Sequence, residues 1–186
     1  MEIIEPLALM NFVEGTLEGD DVVCGRKTLK DNAAIYLNTE NCDMDTVVYD
    51  VFSYNKAQPG RNGDLLWGMT VLYPVQVNGE CNMTRGHWHV DRDNAEFYFG
   101  ITGQGLLMLM DENGKCWCEK VFPGSLHYID GIYAHRLINT SETETMKVGA
   151  CWPVTAGHDY AATEKQPFTT RIFLKNGQIE TLESEK

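Results

Sequence analysis

Short apolar runs rich in Val, Ile, Tyr, Phe and Thr recur along this chain, each ending at a turn signal. They predict strands over Val47–Tyr54, Leu65–Tyr73, Glu96–Thr102, Gly105–Met110, Cys116–Val121 and Leu126–Ile129, then His135–Asn139, Met146–Trp152, Thr169–Leu174 and Ile179–Leu182. Four Asn-Gly pairs punctuate the runs, at 62–63, 78–79, 113–114 and 176–177. This dipeptide tolerates the positive φ angles of tight hairpin turns. Helical periodicity is nearly absent. Only Lys30–Tyr36 suggests a turn or two, with Asp31 as its cap. Many short strands with Gly and Pro turns indicate an all-β sandwich or small barrel.

The same pattern sets the expected domain organisation. No repeat, low-complexity tract or linker divides the 186 residues, so one domain spans 1–186. Residues 46–182 would form the barrel. Residues 1–45 are less regular and would form an extension packed across it or against a partner subunit. The acidic tail from Glu183 to Lys186 would fray.

Composition narrows the function classes. A net charge of −12 argues against nucleic acid as a partner, because phosphate backbones need clustered Lys and Arg. A small phosphate ester can still sit in a local basic pocket. No Walker-type loop or Gly-x-Gly-x-x-Gly turn suggests a nucleotide. No apolar run approaches the ~20 residues that span a bilayer, and no membrane partner is expected. The start, Met1 to Pro6, carries no basic segment, so a secretory signal is not expected and the cytoplasm is the expected compartment. The six cysteines then read as reduced thiols. Cys116 and Cys118 share one face of a strand, yet lack the second pair that a zinc knuckle uses.

The chemistry concentrates in four residues. His87 and His89 are one residue apart, a spacing that puts both imidazoles on one face of a strand. Glu96 follows in the next strand, and His135 lies beyond a Gly-rich turn. Three imidazoles and one carboxylate suit a divalent transition metal and leave positions open for substrate. His127, Asp91 and Asp93 read as structural or solvated rather than as ligands.

These residues resemble the cupin pattern. His87, His89, Glu96 and Gly103 fit its first motif, except that six residues separate His89 from Glu96 where three or four are usual. Gly124, His135 and Asn139 fit its second, with Asp130 and Ile132 where Pro and Gly are usual. The long spacer is characteristic of a narrower group, the cupin-type glucose-6-phosphate isomerases, which the chain resembles from about Val47 to Leu182. The matching segments are Thr70–Pro74, Thr84–His89, Ala95–Tyr98, Tyr133–Arg136 and Ala156–Tyr160. Trp152 departs from the pattern, standing where archaeal-type members tend to have Tyr.

The resemblance implies a cupin fold, that is, a double-stranded β-helix or jelly-roll barrel, and one divalent metal per subunit. Fe2+ leads, with Mn2+, Ni2+, Co2+ and Zn2+ as alternatives. It implies a homodimer and a phosphosugar substrate interconverted between glucose 6-phosphate and fructose 6-phosphate. Hydrogen would move between C1 and C2, either as a proton through a cis-enediol or as a hydride. Glu96 is the preferred base, with Tyr98 on the same face of the strand and His135 beside the metal. Thr70, Thr84, Arg85, Gly86, His158 and Tyr160 match positions around the phosphate. An iron-dependent cupin oxygenase and a non-catalytic sugar-phosphate-binding cupin remain the alternatives at this point.

Overall fold

The computed structural model describes residues 1–58 and 61–183. Its strands are β1 (Leu9–Asn11), β2 (Thr16–Glu18), β3 (Val22–Thr28), β4 (Val47–Tyr54), β5 (Leu65–Leu72), β6 (Gln76–Val77), β7 (Glu80–Cys81) and β8 (Glu96–Thr102). They continue with β9 (Gly105–Met110), β10 (Cys116–Val121), β11 (Leu126–Ile129), β12 (Ala134–Asn139), β13 (Met146–Pro153), β14 (Thr170–Lys175) and β15 (Gln178–Glu183). Two short helices join them, α1 (Leu29–Asn32) and α2 (Tyr160–Lys165).

One face is a six-stranded sheet in the order β11-β8-β13-β5-β4-β3. The other combines β10-β9-β12 with β15-β14-β7-β6. This is the expected all-β cupin barrel with little helix. Its interior is filled from both faces by Met69, Leu72, Leu107, Met108, Ile129, Ile138 and Met146, all buried. β12 is buried at every position, so it reads as a continuous apolar run interrupted only by His135, Arg136 and Asn139. Those three polar groups therefore need partners or a function. Asn139 finds its partners, donating to the carbonyls of Leu72 and Glu144 at 2.9 Å each.

Two Asn-Gly pairs make the two-residue hairpins that the sequence predicts. Asn78-Gly79 (φ +50° and +84°) closes β6 onto β7, and Asn176-Gly177 (+52° and +74°) closes β14 onto β15. Asn113-Gly114 instead lies in a five-residue loop between β9 and β10, where Met110 pairs with Cys116. Asn62-Gly63 forms a turn (Gly63 φ +90°) in the connection that leads into β5 rather than a two-residue hairpin between paired strands.

The N-terminal segment differs from expectation. Residues 22–28 are not an extension but the edge strand of the six-stranded sheet, paired antiparallel with β4. The pairing is pinned by Asp50, buried on β4, which accepts from Arg26 Nε and Nη2 at 2.9 Å and from the Tyr73 hydroxyl at 2.8 Å. The helix that follows starts at Leu29, one residue earlier than predicted, and runs for four residues before a 3-10 turn. Asp31 is not its cap. It sits in the first turn and accepts from the backbone N–H of Thr28, the capping position, at 2.8 Å. At the other end, Glu183 closes β15 opposite Thr170 rather than opening a frayed tail, and residues 184–186 lie outside the described residues.

Candidate active site

The histidine pair is held by β12. His87 and His135 exchange both backbone hydrogen bonds, at 3.2 and 3.1 Å, so their side chains leave the same side of the pair. The 87–89 segment forms isolated bridges rather than a regular ladder, yet its alternation holds. His87 and His89 face one centre, their ring centroids 5.8 Å apart, while Trp88 between them turns into the core. Trp88 is also bridged to Asp159, whose N–H donates to the Trp88 carbonyl at 2.7 Å. That bridge brings the Gly157–Tyr160 segment over the histidines. Asp159 then caps α2, accepting from the Ala162 N–H at 3.0 Å.

The six-residue spacer has a structural role. Its turn, closed by Asn94 N–H on the Asp91 carbonyl, presents the Asn94 carbonyl 2.7 Å from His89 Nδ1. His135 Nδ1 lies 3.3 Å from the Tyr133 carbonyl in the same way. Each ring thereby points Nε2 inward, the outer-shell arrangement that orients metal-binding imidazoles.

The donor atoms of His87, His89, Glu96 and His135 all lie within 4.8 Å of one another, and all four residues are buried. Glu96 Oε1 is 2.5 Å from His135 Nε2 and 3.1 Å from His89 Nε2. The Nε2 atoms of His87 and His135 are buried without an aligned hydrogen bond. Buried polar atoms without partners are costly unless another ligand takes them up. Lone pairs converging at this spread fit a first-row divalent ion, whose N and O ligands stand about 2.0–2.2 Å away. The shifts at His87 and Glu96 agree, while at His89 burial is outweighed by hydrogen bonding to Glu96, which raises the imidazole. Burial, with His135 and His158 beside it, pushes His87 well below the usual imidazole range, keeping a lone pair free. Burial alone would raise the Glu96 carboxyl, but the imidazoles of His135 and His89 outweigh it and hold the group well below the usual carboxylate range.

Three of the four, His87, Glu96 and His135, border a cavity of about 270 Å³, with His89 buried beside them. All the other sequence-predicted positions, Tyr98, Thr70, Thr84, Arg85, Gly86, His158 and Tyr160, line it too. Tyr98 is on the same strand face as Glu96, its ring centroid 5.6 Å from that of His135. Burial and the nearby Glu96 hold its phenol well above the ordinary tyrosine range, so it stays a proton donor. Thr84 Oγ1 accepts the Leu137 N–H at 3.0 Å, which leaves its hydroxyl proton free to donate. Arg85 pairs with Glu164 and lies over the Tyr160 ring at 4.7 Å. His158 packs edge-on against His87 at 4.3 Å.

Two glycines shape these walls. Gly86 has φ +76°, and a Cβ there would meet Phe168 at 2.8 Å and Arg136 at 3.1 Å, so the residue is fixed by packing behind the cavity as well as by backbone conformation. A Cβ on Gly68 would meet the Trp152 ring at 2.9 Å, so Gly68 makes room for the tryptophan that lines the cavity beside His158.

Sequence reasoning missed the wall supplied by β3. Gly25 and Lys27 line the cavity from that edge strand, with Tyr49 paired opposite Lys27. Lys27 and Arg85 are the two cationic side chains among the lining residues. The residues set aside as ligands stand apart from the cluster. His127 has both ring nitrogens engaged, Nδ1 with Glu119 at 2.6 Å and Nε2 with Ser125 at 2.9 Å. Asp91 organises its own turn. The six cysteines are unpaired, and Cys116 and Cys118 join no metal-ligating group among the described residues.

The sequence also has named relatives. The sequence profile of the glucose-6-phosphate isomerase family matches residues 25–185. A glucose-6-phosphate isomerase of Pyrococcus horikoshii is 32% identical over 186 residues, covering 97% of this chain and 96% of its own. That of Thermococcus kodakarensis is 31% identical, covering 99% and 97%. Among solved structures, a manganese-containing oxalate decarboxylase of Bacillus subtilis superimposes with a TM-score of 0.43 at 19% identity, over 63% of this chain and 27% of that one.

Proposed function

Because the chain belongs to the glucose-6-phosphate isomerase family, interconverting glucose 6-phosphate and fructose 6-phosphate, we propose that it does so at the 270 Å³ cavity, with one divalent metal held by His87, His89, Glu96 and His135. The observation that carries this reading is the convergence of four buried donors, three of them lining a cavity whose other walls offer hydroxyls and cations. Iron(II) is the ion we favour, the same donors being able to take manganese, nickel, cobalt or zinc. When bound, such an ion supplies Lewis acidity that stabilises negative charge on the sugar oxygens.

The chain's own groups then divide the work. Thr70, Thr84, Gly86, Arg85 and Tyr160 hold the phosphate, joined by Lys27, whose charge faces the same cavity. Glu96, which would have to bind the ion loosely or leave it to act as a base, takes the proton from C2 of the open-chain aldose. The C–H electron pair becomes the C1–C2 double bond of a cis-enediol as O1 gains a proton. Return of the carbon-bound proton to C1, with loss of the proton on O2, yields the ketose. Tyr98, kept protonated by its surroundings, donates a hydrogen bond to the sugar oxygens. His158, on the rim beside Trp152, assists ring opening.

We further propose a cytoplasmic enzyme, where its six unpaired thiols stay reduced. No helix among the described residues is long and apolar enough to cross a membrane. We also propose a homodimer, which would cover the outward apolar strip of Phe97, Phe99, Leu126 and Tyr128 on β8 and β11.

The test is a coupled assay of fructose 6-phosphate turnover with each metal supplied, repeated with deuterium at C1. Turnover with loss of label to water supports proton transfer through the enediol. Full retention of label in the aldose would favour the hydride shift, and absence of turnover with every metal would remove the isomerase reading.

A further inference from the structure

Behind the active-site wall lies a second cavity of about 490 Å³, larger than the first. Arg136, Arg171 and Arg85 border it, together with Phe168, Thr163 and Ala34. Two carboxylates border it, Asp31 and Glu164, and Glu80 stands against Arg171; all three already have partners other than Arg136. Glu164 is engaged by Arg85, Asp31 by Thr28, and Glu80 by Arg171 and the Leu37 N–H. Arg171 makes its bonds to Glu80 and the Ile35 carbonyl through one nitrogen, Nη1.

Arg136 is left over. It is 7% exposed, and no carboxylate stands within ion-pair distance of it among the described residues. Its Nη1 donates to the Met83 sulfur at 2.8 Å, the Phe168 ring covers one face at 3.8 Å, and Nε has no hydrogen-bond partner. A buried guanidinium held by a thioether and a phenyl ring lacks the charge partner that buried cations ordinarily carry. Its planar donors match the oxygens of a phosphate, and Arg171 borders the same cavity.

We propose that this cavity is a second anion site, taking inorganic phosphate or the phosphate of a small ester on Arg136 and Arg171. It is separated from the active-site cavity by Arg85, which borders both, and by α2, whose Tyr160 faces one cavity and Thr163 the other. Phosphate bound there competes with Glu164 for Arg85, so the two sites are coupled through that side chain.

Equilibrium dialysis of labelled inorganic phosphate against the metal-loaded full chain tests the proposal, with and without saturating fructose 6-phosphate. One phosphate per chain is expected to remain bound under saturation. Ala34→Glu, which adds a negative charge at an exposed position on the cavity, is expected to weaken that phosphate at least tenfold while fructose 6-phosphate turnover stays within twofold. Ala34→Gln, of similar size, should retain it, and Arg171→Gln should weaken it as Ala34→Glu does. Displacement of the remaining phosphate by glycerol 3-phosphate assigns the site to esters, and its persistence assigns it to free phosphate. The proposal is overturned if the parent chain binds no phosphate whose affinity Ala34→Glu weakens.

Discussion

The two sides of the active-site cavity are built in opposite ways. The metal side is over-determined. His87 and His135 are locked by a reciprocal pair of backbone hydrogen bonds, His89 by the Asn94 carbonyl, and every donor is buried. The opposite wall is an edge strand. β3 is exposed at five of its seven positions and is held by its ladder to β4 and the Asp50–Arg26 pair. Bond-making chemistry needs donors fixed to fractions of an ångström, which a buried double-sided scaffold supplies. Anchoring a phosphate needs charge and reach, which a flexible lysine on an edge strand supplies. Changes on the metal side should therefore remove turnover, and changes on the β3 wall should weaken substrate binding.

The largest effect expected is on the metal side. Glu96→Gln should lower kcat by about 10²–10⁴-fold while phosphosugar binding survives, as measured by steady-state kinetics beside a binding titration. Turnover near that of the parent chain would take Glu96 out of the base role. On the β3 wall, Lys27→Ala should raise KM for fructose 6-phosphate roughly tenfold with kcat little changed, since the lost interaction is made in ground and transition states alike. A fall in kcat of equal size would move Lys27 to the chemical side of the comparison.

The smallest effect concerns how the wall is pinned. Arg26 and Tyr73 hold the Asp50 carboxyl below the usual carboxylate range, against the opposing pull of burial. A group whose folded value is depressed contributes stability above its unfolded value near 3.9, and that contribution is lost as pH falls through the folded value. Asp50→Asn should cost about 1 kcal/mol at neutral pH, because Arg26 is mostly solvated, and should flatten the loss of stability below about pH 4. Urea unfolding at pH 7 and pH 3 reads both. An unchanged acid limb would mean that other carboxylates set it.

The same division decides what could be read from the sequence. The four residues of the candidate metal site were legible because strand alternation converts a one-residue spacing into a shared face, and because Glu96 and His135 sit in runs of clear β character. The Asn-Gly turns at 78–79 and 176–177 were legible for a local reason, their positive φ angles. β3 was not. Its residues, Val-Val-Cys-Gly-Arg-Lys-Thr, have no alternating apolar face, because an exposed edge strand has none to bury. α2, at six residues, is too short for a helical period to emerge, and only Asp159 ahead of two alanines marks its start. The 490 Å³ cavity draws Ala34, Arg85, Arg136 and Arg171 from four separate stretches of chain, so nothing local announced it.

The most direct test of the account is metal stoichiometry against turnover. Chain stripped with a chelator should lose fructose 6-phosphate turnover and regain it linearly as iron(II) is added, reaching a plateau at one ion per chain. His135→Ala should bind the ion more weakly and regain little. Full turnover by the stripped chain, with metal analysis confirming its absence, would contradict the assignment of His87, His89, Glu96 and His135 as the metal centre on which the isomerisation depends.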